Sequence, residues 1–389
     1  MTAGWSTLVG QHDSVATLQR AVADARLTPP GTAMTHAWLI IGPPGAGRST
    51  AALLFAAALQ CDAGGCGTCR ACREVGNDAH PDVVRFNPQQ LQITVDEARG
   101  LMSRASLSPD RGTWTVMIVE DADRLNEVSG NMLLKAIEEP TPHTVWLLCA
   151  PSTEDVLPTI RSRCRVLGLR TPPWREVAGL LEADGIEPSM AAFAARAAQG
   201  HVGRARALAL DEDARIRRQH VLRIPMELPN LPACFAAAAD IVATATADAS
   251  AYTGPLDADE RDELLRAYGE GSTGSGITKT RIERLAKGAV KELEGHQKSR
   301  RTRAVRDRLD RALVDLLTFY RDVLVLQVGA GVDLVNEELR PTLQKVAAES
   351  SPESSRRRLD AISRTRRLME SNASPQLLLE GLTVELARG

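Results

Sequence analysis

The segment Gly42-Pro43-Pro44-Gly45-Ala46-Gly47-Arg48-Ser49-Thr50 follows a short apolar run and opens a longer stretch rich in Ala and Leu. In a strand-to-helix turn of this kind, glycines let successive backbone N–H groups face inward on a phosphate, with the helix N-terminus behind them. The spacing meets GxxxxGK[ST] at every position but one, where Arg48 replaces Lys. A compact ammonium sits under the β and γ phosphates as a point charge, whereas a planar guanidinium is bulkier and prefers an in-plane approach. These residues read as a site for ATP or ADP with Mg²⁺ that binds without efficient turnover. A glycine-rich turn holding no nucleotide is the other reading.

A second acidic motif belongs at the end of a later strand, and Val116-Met117-Ile118-Val119 runs into Glu120-Asp121-Ala122-Asp123. One carboxylate there holds Mg²⁺ and its neighbour orients the attacking water. The usual Asp-Glu order is inverted to Glu120-Asp121, so each carboxylate is one methylene from its ordinary reach. In-line geometry is sensitive enough that a 1 Å misplacement costs roughly 10²-fold. Weak magnesium contact and a solvated, helix-capping loop both remain open.

Four of the seven cysteines crowd into one loop, Cys61-x4-Cys66-x2-Cys69-x2-Cys72, bracketed by Gly64, Gly65 and Gly67. Four thiolates at this spacing suit tetrahedral Zn²⁺, and closed four-ligand sites are structural rather than catalytic. In a reducing compartment such a cluster reads as a metal site, not as disulfides. The residues also admit an iron–sulfur cluster or four free thiols. The insertion has few apolar residues, so the metal is expected to stand in for a core.

These groups need a scaffold, and the front of the chain supplies one. His36–Ile41, Asp82–Asn87, Trp114–Val119, Thr144–Cys149 and Arg165–Leu169 read as buried strands. Between them lie helical stretches at Ser49–Gln60, at Thr94–Ala105 with a Thr94-x-x-Glu97 capping box, and at Asn126–Glu139, which stops at Pro140. Strands alternating with helices predict a mostly parallel, three-layer α/β domain. After Pro172-Pro173 the strand signal ends. Three short helical stretches to about Leu210 predict a small lid, and everything after Pro229 reads as helical, with the strongest amphipathic helix at Asp310–Val325. A flexible polar loop is expected over Leu256–Thr278.

Composition limits what the chain can be. Its 389 residues are enough for two or three domains. With 47 basic against 49 acidic residues, the net charge of −2 excludes a surface built wholly as a basic glove for nucleic acid. Aromatics are only 3%, and every Trp lies at or before Trp174, so a mixed front half precedes an Ala-, Leu- and Arg-rich back half. No 18-residue apolar run and no charged start followed by an apolar core are seen. The expectation is a soluble cytoplasmic protein without membrane contact.

Taken together, the motifs resemble the AAA+ subunits of bacterial clamp loaders, and among them the delta-prime branch. The resemblance rests on His36-Ala37-Trp38-Leu39, the GPPGAGRST loop, the four-Cys insertion and His80-Pro81-Asp82-Val83. It is completed by the acidic strand end, LLKAIEEP at Leu133–Pro140, and LPTIRSRC at Leu157–Cys164, and it covers about residues 5 to 170. It implies a RecA-like P-loop AAA+ domain over 1–170 carrying a structural zinc insertion at 61–72. A helical lid over 171–228 and an all-α oligomerisation collar over 229–389 would follow.

It also implies that Arg163, in Ser162-Arg163-Cys164, is an arginine finger that reaches ATP held by a neighbouring gamma/tau motor subunit. A guanidinium supplied in trans is worth about 10³ to 10⁵ in rate. Further partners implied are the delta subunit and, through the complex, the β sliding clamp and primer–template DNA at the replisome.

The departures from that family's motor subunits sharpen the expectation. Motors carry Lys in the loop, Asp-Glu on the acidic strand, a polar residue after the fourth strand and Arg in a GSxRxAL lid motif. Here stand Arg48, Glu120-Asp121, Ala150-Pro151 and Gly203, with Arg204 one place off. Four departures in one site imply a non-motor subunit whose own ATPase is absent or weak. An active motor ATPase is the first alternative. A DNA-binding replication factor is the second, on the basic runs Lys298, Arg300, Arg301, Arg303, Arg306, Arg308 and Arg356–Arg358, Arg364, Arg366, Arg367. No aromatic residue interleaves either run, which leaves stacking on single-stranded bases unsupported.

Overall fold

The computed structural model describes residues 4–88, 92–268, 279–369 and 373–389. They form two compact units, divided between Asp211 and Glu212.

The first unit is built on five parallel strands, β1 (Ala37–Ile41), β2 (Val83–Phe86), β3 (Thr115–Val119), β4 (Thr144–Ala150) and β5 (Arg165–Gly168), in the order β2-β3-β4-β1-β5. The inner strands are almost wholly buried because helices cover both faces, which is why they read as continuous apolar runs rather than alternating ones. Alternate residues still divide between two cores. Trp38, Ile40, Val116, Ile118, Leu147 and Cys149 pack with α1 (His12–Asp24) and α2 (Arg48–Leu59). Leu39, Met117, Val119, Trp146 and Leu148 pack on the other face, with α4 (Val95–Ala105) and α5 (Glu127–Glu138), while α3 (Arg70–Gly76) lies beside α2.

Local signals set these boundaries well. Thr94 caps α4 with both halves of the capping box formed, and Asn126 caps α5 by accepting from the amides of Val128 and Ser129. The short α6 (Pro158–Arg161) starts at a proline, which needs no amide donor there. The unit ends in three small helices, α7 (Trp174–Ala183), α8 (Pro188–Ala198) and α9 (Val202–Leu210). Trp174 is flanked by the guanidinium groups of Arg175 and Arg196, at 4.6 and 5.2 Å from its ring.

The second unit is helical: α10 (Glu212–Arg223), α11 (Leu231–Ala267), α12 (Lys279–Gln327), α13 (Arg340–Glu349), α14 (Pro352–Met369) and α15 (Pro375–Arg388). Its core gathers Leu313, Leu316, Phe319, Tyr320 and Val323 from the amphipathic stretch of α12. Helix α10, expected in the lid, belongs to this unit. Leu222 joins its core, and the buried Arg218 pairs with Asp315 at 3.3 Å and with Glu338 at 2.8 Å. By length and composition α11 is apolar enough to cross a membrane, and its Cys234, Ala238, Ile241, Ala245 and Ala249 are buried within the unit.

The loop expected over Leu256–Thr278 needs correction at its start. Residues 256–267 continue α11, in spite of Gly254 and Pro255. Arg300 of α12 donates to both carboxylate oxygens of Glu260 at 2.6 Å and to Asp257, and Gln297 donates to the Asp257 carbonyl at 2.8 Å. These contacts outweigh the local breakers. Residues 269–278, with the GEGSTGSG stretch, lie outside the described residues.

Candidate functional site: the phosphate-type loop and the Arg163 edge

Strand β1 delivers the glycine-rich loop to the C-terminal edge of the sheet, and α2 begins at Arg48. Gly45 and Gly47 hold φ of 85° and 93°, the left-handed region that favours glycine. The Gly42 amide donates to the Pro151 carbonyl at 3.2 Å, and the Ala46 amide to the Pro43 carbonyl at 3.0 Å. Pro43 and Pro44 are exposed, Ser49 and Thr50 lie in the first turn of α2, and Thr50 faces solvent. Arg48 does not extend over the loop's mouth as a free charge. Its Nη1 donates to the carbonyl of Gly42 at 2.7 Å, folding the guanidinium back on the loop's own backbone.

Helix α9 meets the loop through its cap His201, a residue the sequence pattern did not single out. Its Nδ1 accepts from the Arg204 amide at 3.2 Å and so caps α9. A Cβ placed on Gly45 would fall 2.4 Å from His201 Cγ, and one on Gly203 would fall 3.4 Å from His201 Cε1. The imidazole therefore lies against both Gly45 of the loop and Gly203 in the first turn of α9. The only local hint was a His three residues before Arg204, since His is an uncommon helix cap.

Glu120 and Asp121 follow β3, and each has a basic neighbour. Glu120 accepts from Nε of Arg85 on β2 at 2.6 Å. Asp121 stands in the left-handed region at φ 50° and lies 3.4 Å from Nε of Arg124. Asp123, two residues on, is the acid most enclosed. Burial raises its pKa above the ordinary carboxylate range, with the charge of Asp121 adding to the effect and the Arg48 guanidinium opposing it. Its Oδ1 is buried and accepts no hydrogen bond among the described residues. At the end of β4, burial pushes the Cys149 thiol up to about 12, which leaves it protonated and inert at neutral pH.

The four cysteines converge. Their sulfurs all lie within 4.8 Å of one another, with Cys61 Sγ 3.7 Å from Cys66 Sγ and from Cys69 Sγ. A tetrahedron with metal–sulfur bonds of about 2.3 Å has edges of about 3.8 Å, so this donor set is compatible with structural zinc. Backbone amides support thiolates here: Cys69 N–H donates to Cys66 Sγ at 3.3 Å, and Cys72 N–H to Cys69 Sγ at 3.4 Å. Amide and hydroxyl bonds from Thr68, then the Cys69 amide, bring Cys66 down to about 6, whereas burial raises Cys72. The insertion is not a separate body. Cys61 and Cys72 are buried in the core beside α2, and Trp5 Nε1 donates to the Gly64 carbonyl at 3.1 Å.

Arg163 lies just after α6, on the same segment as three other arginines that are tied down within the unit. Arg161 donates to the Thr153 carbonyl at 3.2 Å, Arg165 stacks over Trp38 at 5.2 Å, and Arg170 donates to the Gly10 carbonyl at 2.7 Å. Arg163 is bonded within the unit too, to Glu138, a surface acid at the end of α5, and to the Thr159 carbonyl at 2.7 Å; like Arg165 and Arg170 it is exposed, with 35% of its side chain accessible.

Residues 11–173 match the family model for DNA polymerase III, delta subunit. The DNA polymerase III subunit delta' of Pseudomonas aeruginosa is 38% identical over 135 residues, 33% of this chain and 41% of that protein. The subunit delta' of Bacillus subtilis is 24% identical over 359 residues, 92% of each chain. The subunit gamma/tau of Mycobacterium tuberculosis is 33% identical over 185 residues, 46% of this chain and 31% of that protein. The chain thus spans less than half the length of the first and third of these relatives. It is similar to DNA polymerase III delta' subunits, by 38% identity within part of the chain and by 24% over nearly all of it.

The contact between Gly45 and His201 makes a specific prediction. Gly45→Ala is expected to destabilise the first unit by about 1–3 kcal/mol, through left-handed strain and collision with the imidazole. Adding His201→Ala should recover part of that loss but not all, because the backbone strain remains. Chemical denaturation of the four proteins in the cycle reads this directly, and no recovery in the double variant would mean that the ring does not press on the loop.

Proposed function

We propose that this chain is a non-motor AAA+ subunit of the bacterial DNA polymerase III clamp loader, acting in the cytoplasm at the replisome. It supplies Arg163 in trans to ATP bound by a gamma/tau-type motor subunit. The observation that carries this reading is the contrast between the two sites. At its own loop the Arg48 guanidinium is turned onto the Gly42 carbonyl, Glu120 is taken up by Arg85, and His201 stands against Gly45. At the other site a partly exposed guanidinium is ordered at the surface. The relation to delta' subunits supports the same assignment.

In this reading a nucleotide at Gly42–Thr50, with Mg²⁺ near Glu120 and Asp121, is a resident ligand at most. Catalysis belongs to the neighbouring subunit, where charge develops on the transferring phosphoryl oxygens and a guanidinium stabilises it. The three small helices act as the lid, and the second unit as the oligomerisation collar that holds motor and delta subunits. The β clamp and primer–template DNA are reached through the complex. Many of the basic side chains that read as a nucleic-acid surface are paired within the chain: Arg308 with Asp248 at 2.6 Å, Arg366 with Asp310 at 2.7 Å, Arg356 with Asp360 at 2.7 Å. That favours protein contacts over direct DNA binding.

In the reconstituted complex, Arg163→Ala is expected to lower DNA-stimulated hydrolysis at the adjoining site by about 10³-fold or more, with clamp loading lost alongside. Wild-type hydrolysis and loading in that variant would rule the finger out. Similarity to gamma/tau subunits favours a second reading, an active motor, which predicts Mg²⁺-dependent turnover by the isolated chain that Arg48→Ala abolishes. The non-motor reading expects no turnover above background in the same assay. Metal analysis of protein purified without chelator should return about one zinc per chain held by Cys61, Cys66, Cys69 and Cys72. Protein free of zinc, or carrying iron with a visible charge-transfer band, would displace that assignment.

A further inference from the structure

An arginine that acts on a neighbouring subunit must be both reachable and already aimed, because a long side chain loses rotamer freedom on reaching a phosphate. The guanidinium carries five N–H groups in one plane. At Arg163, Nε–H donates to Oε1 of Glu138. Nη1 donates to the Thr159 carbonyl at 2.7 Å and to the Ser162 hydroxyl at 3.1 Å. The remaining nitrogen, Nη2, has no acceptor among the described residues, and the Glu138 side chain is itself 42% exposed. Two of its three nitrogens are held, and Nη2 is left without an acceptor among the described residues.

Local preference does not explain Glu138. It is the final residue of α5, where the negative end of the helix disfavours a carboxylate. Its compensation is a tertiary partner 25 residues later in the chain. An exposed ion pair of this kind contributes little to stability, so what it changes most is where the guanidinium points.

We propose that Glu138 is a positioning residue for Arg163, holding Nε–H so that the unengaged Nη2 is presented toward the phosphate of a nucleotide held by a neighbouring subunit. This inference rests on the proposed role of Arg163 in trans. Glu138 touches neither nucleotide nor reacting atom; it sets the geometry of the group that does. Orientation of this sort acts on the transition state, so its loss lowers kcat and leaves the KM for ATP in place.

The test is a cycle in the reconstituted complex, reading kcat and KM for DNA-stimulated ATP hydrolysis. Glu138→Ala is expected to lower kcat by about tenfold with KM unchanged. Glu138→Gln, which still accepts from Nε–H, is expected to stay within about threefold of wild type. In an Arg163→Ala background, Glu138→Ala should cost nothing further. Wild-type kcat in Glu138→Ala, with Arg163→Ala strongly impaired, would overturn the positioning role and leave the finger intact. An equal further loss in the Arg163→Ala background would assign Glu138 a separate structural role and overturn it as well. If Arg163→Ala itself behaved as wild type, the finger and its positioning residue would fall together.

Discussion

The register of β1 between β4 and β5 is the constraint on which the candidate site depends. Parallel pairing sets Ile41 opposite Ala150 on one side and Gly168 on the other, and Val119 of β3 opposite Leu148. The C-terminal ends of these strands therefore emerge along one edge, which is where open α/β sheets bind ligands. The glycine loop, the acids after β3 and the Pro151 carbonyl meet there because strand pairing brings them, not because they are near in sequence. A one-residue slip would turn the two faces of each strand over and unseat both cores.

On that edge the charged groups are taken up by partners within the chain. Arg48 bonds to backbone, Glu120 to Arg85, and the cap of α9 sets an imidazole against Gly45. Each of these has a simple cause. A planar cation with several donors finds a carbonyl within reach, an acid one methylene longer finds a basic neighbour on the adjacent strand, and a left-handed glycine leaves room for a ring. Asp123 is the exception, an enclosed carboxyl whose Oδ1 has no partner among the described residues.

The second unit illustrates how tertiary contacts overrule local signals. A loop is expected from Leu256, just after Gly254 and Pro255, yet α11 runs on through Ala267. Arg300, bonded to Glu260 and Asp257, secures the continuation from the neighbouring helix. In the same way Arg218 assigns α10 to this unit rather than to the lid, since a buried guanidinium is tolerated only where its acids are.

What the sequence determined by itself was whatever is encoded by spacing along the chain. Apolar runs of strand length, the Thr94 and Asn126 caps and the glycine pattern of residues 42–47 placed the parallel α/β domain. The cysteine spacing placed the four-sulfur cluster. These signals are local, so a single chain shows them without coordinates. The tertiary structure alone decided where the charged groups of the site point. Arg85 and Glu120 are 35 residues apart, and Glu138 and Arg163 are 25 apart; His201 reaches Gly45 from a different helix altogether. A polar side chain's partner depends on which elements the sheet and its covering helices bring within about 3 Å. No periodicity carries that information, which is why the residue types were legible and their orientations were not.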